Sequence, residues 1–364
     1  MKNQVVKIKT NNLPCSELYS RFTARKALFM LACLVLLGIS ALVATSLGGA
    51  DLSIKDVVYT VIAKIFPFSN VKISSIASVI VWHLRLPRIV MGIIAGAGLA
   101  IAGAVMQGVL RNPLVSPFTV GVSSGATLGA SIAMILGFSL VGSETYIVIA
   151  NAFLFAMGTT FLILGIGRLR GITPESFILV GISLMYFFGA ITGFLQYIAT
   201  EGELAEVIHW TFGTLTGSNW KNILIVLIII LTCFPFLIRY SWDLNAMASG
   251  GDEVATTLGV NCGRVRIVCM VLSALITASI ICFTGIIGFI CLVAPHITRL
   301  IIGGDHRFLL PCSGIIGAIL LLIADTIGRT IISPIIIPVG IVISFIGAPF
   351  FFYLLMTRRR QYWQ

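Results

Sequence analysis

The sequence predicts an all-α polytopic membrane protein with about ten transmembrane helices per chain. Three observations lead there. Hydrophobic residues make up 58% of the 364-residue chain. Only 10% are charged, where a soluble domain carries about 25%. The apolar residues gather in runs of about twenty, which at ~1.5 Å rise per residue cross a bilayer core of about 30 Å. The net charge of +11, from 24 Lys+Arg against 13 Asp+Glu, reads in such a chain as basic loops held on the cytoplasmic side, not as a nucleic-acid surface. The eight cysteines form no C-x-x-C and lie mostly in apolar runs. They read as small buried hydrophobes, with no metal site and no cofactor expected.

Residues 1–26 are polar and basic and are expected to form a cytoplasmic leader, without a signal-type cleavage site. The transmembrane domain follows over 27–356. Its first span is 27–47, and a short interfacial helix is expected within 53–66. The second span, 87–110, opens the stretch around which the chain is organised, residues 85–130. Small residues recur there every fourth position: Gly92, Gly96, Ala100, Ala104 and Gly108, then Gly121, Gly125 and Gly129. Such faces let helix backbones approach closely in lipid, so two tightly packed helices are expected, joined by a turn through Asn112-Pro113-Leu114 and Pro117.

The third to sixth spans fall near 117–138, 146–167, 176–199 and 222–238. An acidic loop with Glu201, Glu203 and Glu206, flanked by Trp210 and Trp220 as interfacial anchors, separates the last two. Residues 240–266 are the longest polar stretch after the leader. The seventh to tenth spans fall near 267–287, 288–302, 311–328 and 338–356, and a basic tail, 357–364, ends the chain. The Lys/Arg bias of the loops places both termini in the cytoplasm.

Three arginines break that bias: Arg85, Arg88 and Arg329 fall on the outward side. Each sits at a helix end, where interfacial anchoring and docking of an acidic partner are both open. Asp325, four residues before Arg329, can pair with it along the helix. In 240–266, Gly250-Gly251-Asp252-Glu253 reads as a turn and then a short helix with Val254, Ala255, Leu258 and Val260 on one face. Such an element lies on the membrane or enters a groove on a partner. His296, after Pro295, reads as part of a helix kink with a satisfied imidazole. The chain has no G-x-x-x-x-G-K-[ST] loop and so no means of cradling ATP phosphates by that motif.

Four ordered blocks carry a resemblance over about residues 27–356. They are RLPR with GAGLAIAGAVMQGVLRNPLVSPFTVGVSSGA; GDEVATTLGV with FTGIIGFICLVAPHITRLIIGGDHRFLLP; LLIADTIGRT; and PVGIVISFIGAPFFFYLL. Together they resemble the FecCD family, the permease subunits of ABC importers for iron–siderophore complexes, haem and cobalamin. The resemblance implies a cobalamin-permease-like fold of two inverted repeats in the cell (cytoplasmic) membrane. It implies a second permease chain, as homo- or heterodimer, with the pathway between the two. It also implies two separate ATPase subunits, so the chain itself is not an enzyme, and an extracytoplasmic substrate-binding protein.

By position, Arg85, Arg88 and Arg329 match arginines that dock glutamates of the binding protein. Gly251, Asp252, Glu253, Val254, Ala255, Leu258 and Gly259 match the coupling helix that sits in a cleft on the ATPase. Asn112 and Leu114 match a cytoplasmic gate, and Thr173, in the turn 171–175, falls where a second gate loop is expected. Two departures stand out. Ile336 replaces a frequent Glu. Cys291 replaces a usual Gly, so looser helix packing is expected there. The competing class, a secondary transporter driven by an ion gradient, usually carries several intramembrane charges; only Asp325 lies well inside an expected span.

Overall fold

The computed structural model describes residues 15–47, 54–65, 78–138, 146–169 and 173–357. Residues 1–14 of the leader, 358–364 of the tail and Gly171-Ile172 of the second gate turn lie outside them. The described residues form thirteen α-helices and no strand. In order they are α1 Cys15–Ser46, α2 Ile54–Ile65, α3 Leu86–Val109, α4 Val122–Leu136, α5 Ile147–Leu169, α6 Pro174–Ile198 and α7 Glu201–Thr211. Then come α8 Trp220–Arg239, α9 Ser241–Thr257, α10 Cys262–Thr284, α11 Ile290–Ile302, α12 His306–Thr330 and α13 Val339–Thr357. A π-helical turn, Ile80–Arg85, feeds directly into α3.

Seven helical stretches are long and apolar enough to cross a membrane. Three shorter apolar helices, α4, α11 and α13, stand at the expected third, eighth and tenth spans. At 13 residues, α11 rises only about 20 Å, less than a bilayer core. It is largely buried among its neighbours, and a broken span is tolerated where protein surrounds it. Exposed apolar residues line α1, α6, α8 and α13, as expected where the solvent is lipid.

Buried α3 is the centre of the bundle. It packs on α12, α10, α11 and α8. Glycines decide how close these helices come. A Cβ at Gly96 would overlap the Gly317 carbonyl of α12, and one at Gly103 would overlap the Cys291 carbonyl of α11. A Cβ at Gly108 would lie 2.5 Å from Nε2 of His306, and one at Gly92 would lie 3.1 Å from Leu215. On α4 and just before it, Gly121, Gly125 and Gly129 meet Gly181, Thr159 and Asn151 in the same way.

Several expectations are corrected. The two glycine faces of 85–130 do not pack on one another: α3 seats on α12 and α4 on α5. The partners supply matching small or backbone surfaces, and the turn between α3 and α4 carries them apart. The acidic loop after the fifth span is helix α7, started by a capping box in which Glu203 accepts from the Thr200 N–H and Thr200 accepts from the Glu203 N–H. The stretch 240–266 is mostly helical: α9 runs through Gly250 and kinks at Gly251, which has φ 79°. The helix that holds the first span begins earlier, at Cys15, with its apolar stretch at Tyr19–Ser46. The packing at Cys291 is tight, since its backbone receives Gly103.

Replacing Gly96 by Val should therefore destabilise the protein by about 1–3 kcal/mol or more, because neither backbone can retreat. A Gly158→Ala change, where nothing lies within 4 Å of the new Cβ, should be neutral or stabilising. Thermal unfolding in detergent would read both, and a Gly96→Val protein as stable as the parent would contradict this packing.

Candidate functional site

At the N-terminal end of α3, Arg85, Arg88 and Arg329 converge. Arg88 Nε donates to both carboxylate oxygens of Asp325, at 2.9 and 3.2 Å, and its Nη2 lies 2.8 Å from Oδ1. Arg329 Nε donates to Asp325 Oδ2 at 3.0 Å, one helical turn along α12. The i,i+4 pairing expected from the sequence is thus present, and Arg88, 237 residues away, shares the same carboxylate. Asp325 is fully buried, with 0% side-chain exposure.

The remaining donors of Arg329 and Arg85 close α1. Arg329 donates to the carbonyls of Ala44 and Leu47, each at 3.0 Å. Arg85 Nη1 donates to Thr45 and Ser46, at 2.8 and 3.3 Å. The last carbonyls of a helix have no partners of their own and form the negative end of its dipole. Two guanidiniums satisfy four of them here. Arg88 Nη1 also donates to Thr216 in the Trp-containing loop, whose Trp220 donates to the Trp82 carbonyl. Arg85 and Arg88 are 7% and 8% exposed. Most of their surface is spent inside the chain. Among the described residues, Arg88 and Arg329 share the Asp325 carboxylate, and Arg85 stands beside them on the α1 carbonyls.

The Gly251 segment lies at the opposite end of α3. A Cβ on Gly251 would fall 2.7 Å from Nη1 of Arg111, and Arg111 follows α3 while Arg85 precedes it. The 24 residues of α3 separate the two ends by about 36 Å. Beyond the kink, Asp252 receives both oxygens' hydrogen bonds from Nη2 of buried Arg266, at 2.9 and 2.8 Å. Ala255 is buried, whereas Val254 and Leu258, one turn apart, are 46% and 67% exposed. Glu253 is exposed and Gly259 ends the turn with φ 86°.

A second hub stands beside this segment. Asp305, before α12, accepts from Arg307 Nε and Nη2 and from Asn245 Nδ2 of α9, and lies 3.8 Å from Lys26 of α1. Burial alone would raise the Asp305 carboxyl, but the Arg307 and Asn245 hydrogen bonds outweigh it and hold it at about 2. Asn245 Oδ1 in turn accepts from the backbone N–H of His306 at 2.8 Å. Its other contact is the His306 ring nitrogen Nδ1 at 2.8 Å, which must carry the proton because Oδ1 only accepts. No pattern along the chain signals this hub, since its members come from three helices.

Asn112 and Leu114 lie at the Gly251 end. Asn112 Oδ1 accepts from the Leu114 N–H at 2.9 Å and its carbonyl accepts from Val115 N–H at 3.2 Å, a stiff Asx turn. Leu114 is 45% exposed. Thr173 caps α6 by accepting from the Ser176 N–H. Nearby, a cavity of about 660 Å³ is lined by Ser116, Phe118, Phe212, Phe289, Ile341 and Phe345 among others. It is almost wholly apolar, so it offers shape and few holding groups. Among the described residues, no three His, Cys, Asp or Glu side chains gather in a way that could hold a metal ion.

A profile of the FecCD transport family matches residues 34–357. The ABC transporter permease protein MJ0087 of Methanocaldococcus jannaschii is 42% identical over 347 residues, covering 93% of this chain and 97% of that protein. The Fe(3+)-citrate import system permease protein YfmE of Bacillus subtilis is 42% identical over 285 residues, 78% of this chain and 83% of that one. A solved metal-chelate type ABC transporter in an inward-facing conformation aligns with TM-score 0.78 at 32% identity, covering 91% of this chain and 99% of that one.

Two outcomes follow from the hubs. Asp325→Asn leaves two buried guanidiniums without their counter-charge and should cost about 3–5 kcal/mol; unchanged thermal stability would show that the triad contributes nothing. Asp305 has its folded value below the ordinary 3.8, so its contribution is complete above that value and fades as pH falls towards about 2. Parent and Asp305→Asn proteins should therefore differ in melting temperature at neutral pH and converge in strong acid. A constant difference across that window would contradict the assignment.

Proposed function

The chain belongs to the FecCD transport family, and from that premise we propose that it is the membrane-spanning permease subunit of an ATP-driven importer for a metal chelate, an iron–siderophore complex first. The observation that carries the reading is the separation of two unlike handles. One end of α3 is basic. The other carries a helix with two exposed apolar side chains and no ATP-binding motif of its own. A partner of each kind supports that arrangement: an acidic extracytoplasmic binding protein at the Arg85 end, and an ATPase cleft receiving Val254 and Leu258.

ATP hydrolysis then belongs to two separate ATPase subunits, and the pathway forms between two permease chains, identical or different. The Gly251 end and both termini face the cytoplasm in this reading. Closure of the ATPases pushes on 251–260, and the bundle, packed backbone to backbone, tilts as a unit and exchanges outward for inward access. Asn112, Leu114 and Thr173 stand at the end where such a gate would close. An apolar cavity wall suits passage of a large chelate, because binding must be weak enough to release. Among the described residues, Asp325, the carboxylate inside an expected span, is paired with two arginines at a helix end and does not stand as the midplane charge an ion-driven carrier uses.

The test is uptake of ferric citrate and of a ferric hydroxamate into proteoliposomes holding the chain, its ATPase and its binding protein. Accumulation should require ATP and all three components. Uptake that persists without the ATPase and follows an ion gradient would overturn the reading. Arg85→Ala should weaken binding-protein docking, mainly through association rate, and reduce its salt dependence. Docking insensitive to that change would remove the arginine cluster from the interface. Leu258→Asp should weaken ATPase association by at least about tenfold by placing a charge in an apolar cleft; an intact complex would refute the coupling role.

A further inference from the structure

We infer that Arg111 is a positioning residue that passes displacement of the coupling segment, at Gly251, to the Asn112–Leu114 turn. The inference rests on the permease reading above and adds the contact through which its two ends of the mechanism communicate. Arg111 follows Leu110, the C-cap of α3, in a left-handed conformation, φ 48°, uncommon for a residue with a side chain. Its N–H donates to the Gly108 carbonyl at 3.3 Å, and the Asn112 N–H donates to Gln107 at 3.2 Å. The Asx turn that follows stiffens Asn112–Val115. Arg111 is thus fixed to the end of α3 on one side and to the gate turn on the other.

Its guanidinium lies over the Cα of Gly251, with Nη1 and Cζ 2.7 and 3.2 Å from where a Cβ would stand. Gly251 is also the place where α9 breaks, with φ 79° and ψ −176°. The half before it is anchored by buried Leu244 and Met247, and the half after it presents Val254 and Leu258. Force applied to that exposed half acts on the kink as on a hinge. The guanidinium rests on the hinge at the negative, C-terminal end of the first helical half, where a cation is favoured. Any shift of Gly251 towards or away from α3 therefore meets Arg111 first. A side chain carried on a non-glycine residue of positive φ and resting on a glycine that has no Cβ to hold it off is the pattern of a built contact.

The experiment uses the full chain in nanodiscs with its ATPase. An environment-sensitive dye is attached at Leu114→Cys in a Cys15→Ser background, the other cysteines being buried. ATP should change the dye's emission in this parent. Arg111→Ala should still co-purify with the ATPase but lose about three- to tenfold of the amplitude, and Arg111→Lys should restore most of it. If Arg111→Ala does not assemble, Arg111→Gln, which keeps the stem and removes the charge, takes its place. Full amplitude in the Ala or Gln protein would overturn the role of Arg111 and leave the permease reading standing. No ATP response in the parent itself would overturn both.

Discussion

Backbone contact between α3 and α12 is the constraint on which the rest of the structure depends. In lipid, apolar side chains give helices no reason to associate, because the tails are as apolar as leucine. What holds α3 against its neighbours is close approach at Gly96–Gly317 and Gly103–Cys291. That approach fixes the axial register of α12 against α3. With the register fixed, Asp325 stands level with Arg88, and His306 stands against Gly108. A slip of one turn would separate both pairs.

α12 carries a polar hub at each end, and both hubs also hold α1. At one end Arg85 and Arg329 close the C-terminal carbonyls of α1; at the other Lys26 approaches Asp305. Between them α1 is mostly exposed. The helix is therefore clamped at its ends and packed along one face, where Cys33, Leu37, Ala41 and Ala44 join the core, and it travels with α12. The same arginines that the family resemblance assigns to docking have this internal work as well. The two uses are compatible, because a guanidinium held at a helix end still contributes to the field that an acidic partner would meet.

Much of this was legible in the sequence because it is local. Apolar runs gave the spans, Asn112-Pro113 gave the turn, and Asp325 with Arg329 gave a same-helix pair. The small residues signalled close packing but not its partner, since every glycine face looks alike until the facing backbone is known. Arg88 and Asp325 could not be paired from spacing, being joined only once α3 and α12 are in register. Helix α7 was overlooked although Thr200-x-x-Glu203 is a start signal; its acidic composition masked it. The kink at Gly251 was legible as a glycine pair, but the helix before it was not, because Ser241–Gly250 has no strong apolar stripe. The hub at Asp305, built from α1, α9 and α12, left no pattern along the chain.

If the arginine cluster and the coupling segment face opposite sides of a membrane, residues beside them are reached from opposite sides. Single cysteines at Ile335, 65% exposed near Arg329, and at Leu258 would be treated with a membrane-impermeant maleimide in sealed vesicles of known orientation. The account predicts that Ile335→Cys reacts only from the extracytoplasmic side and Leu258→Cys only from the cytoplasmic side. Reaction of both from the same side would contradict it.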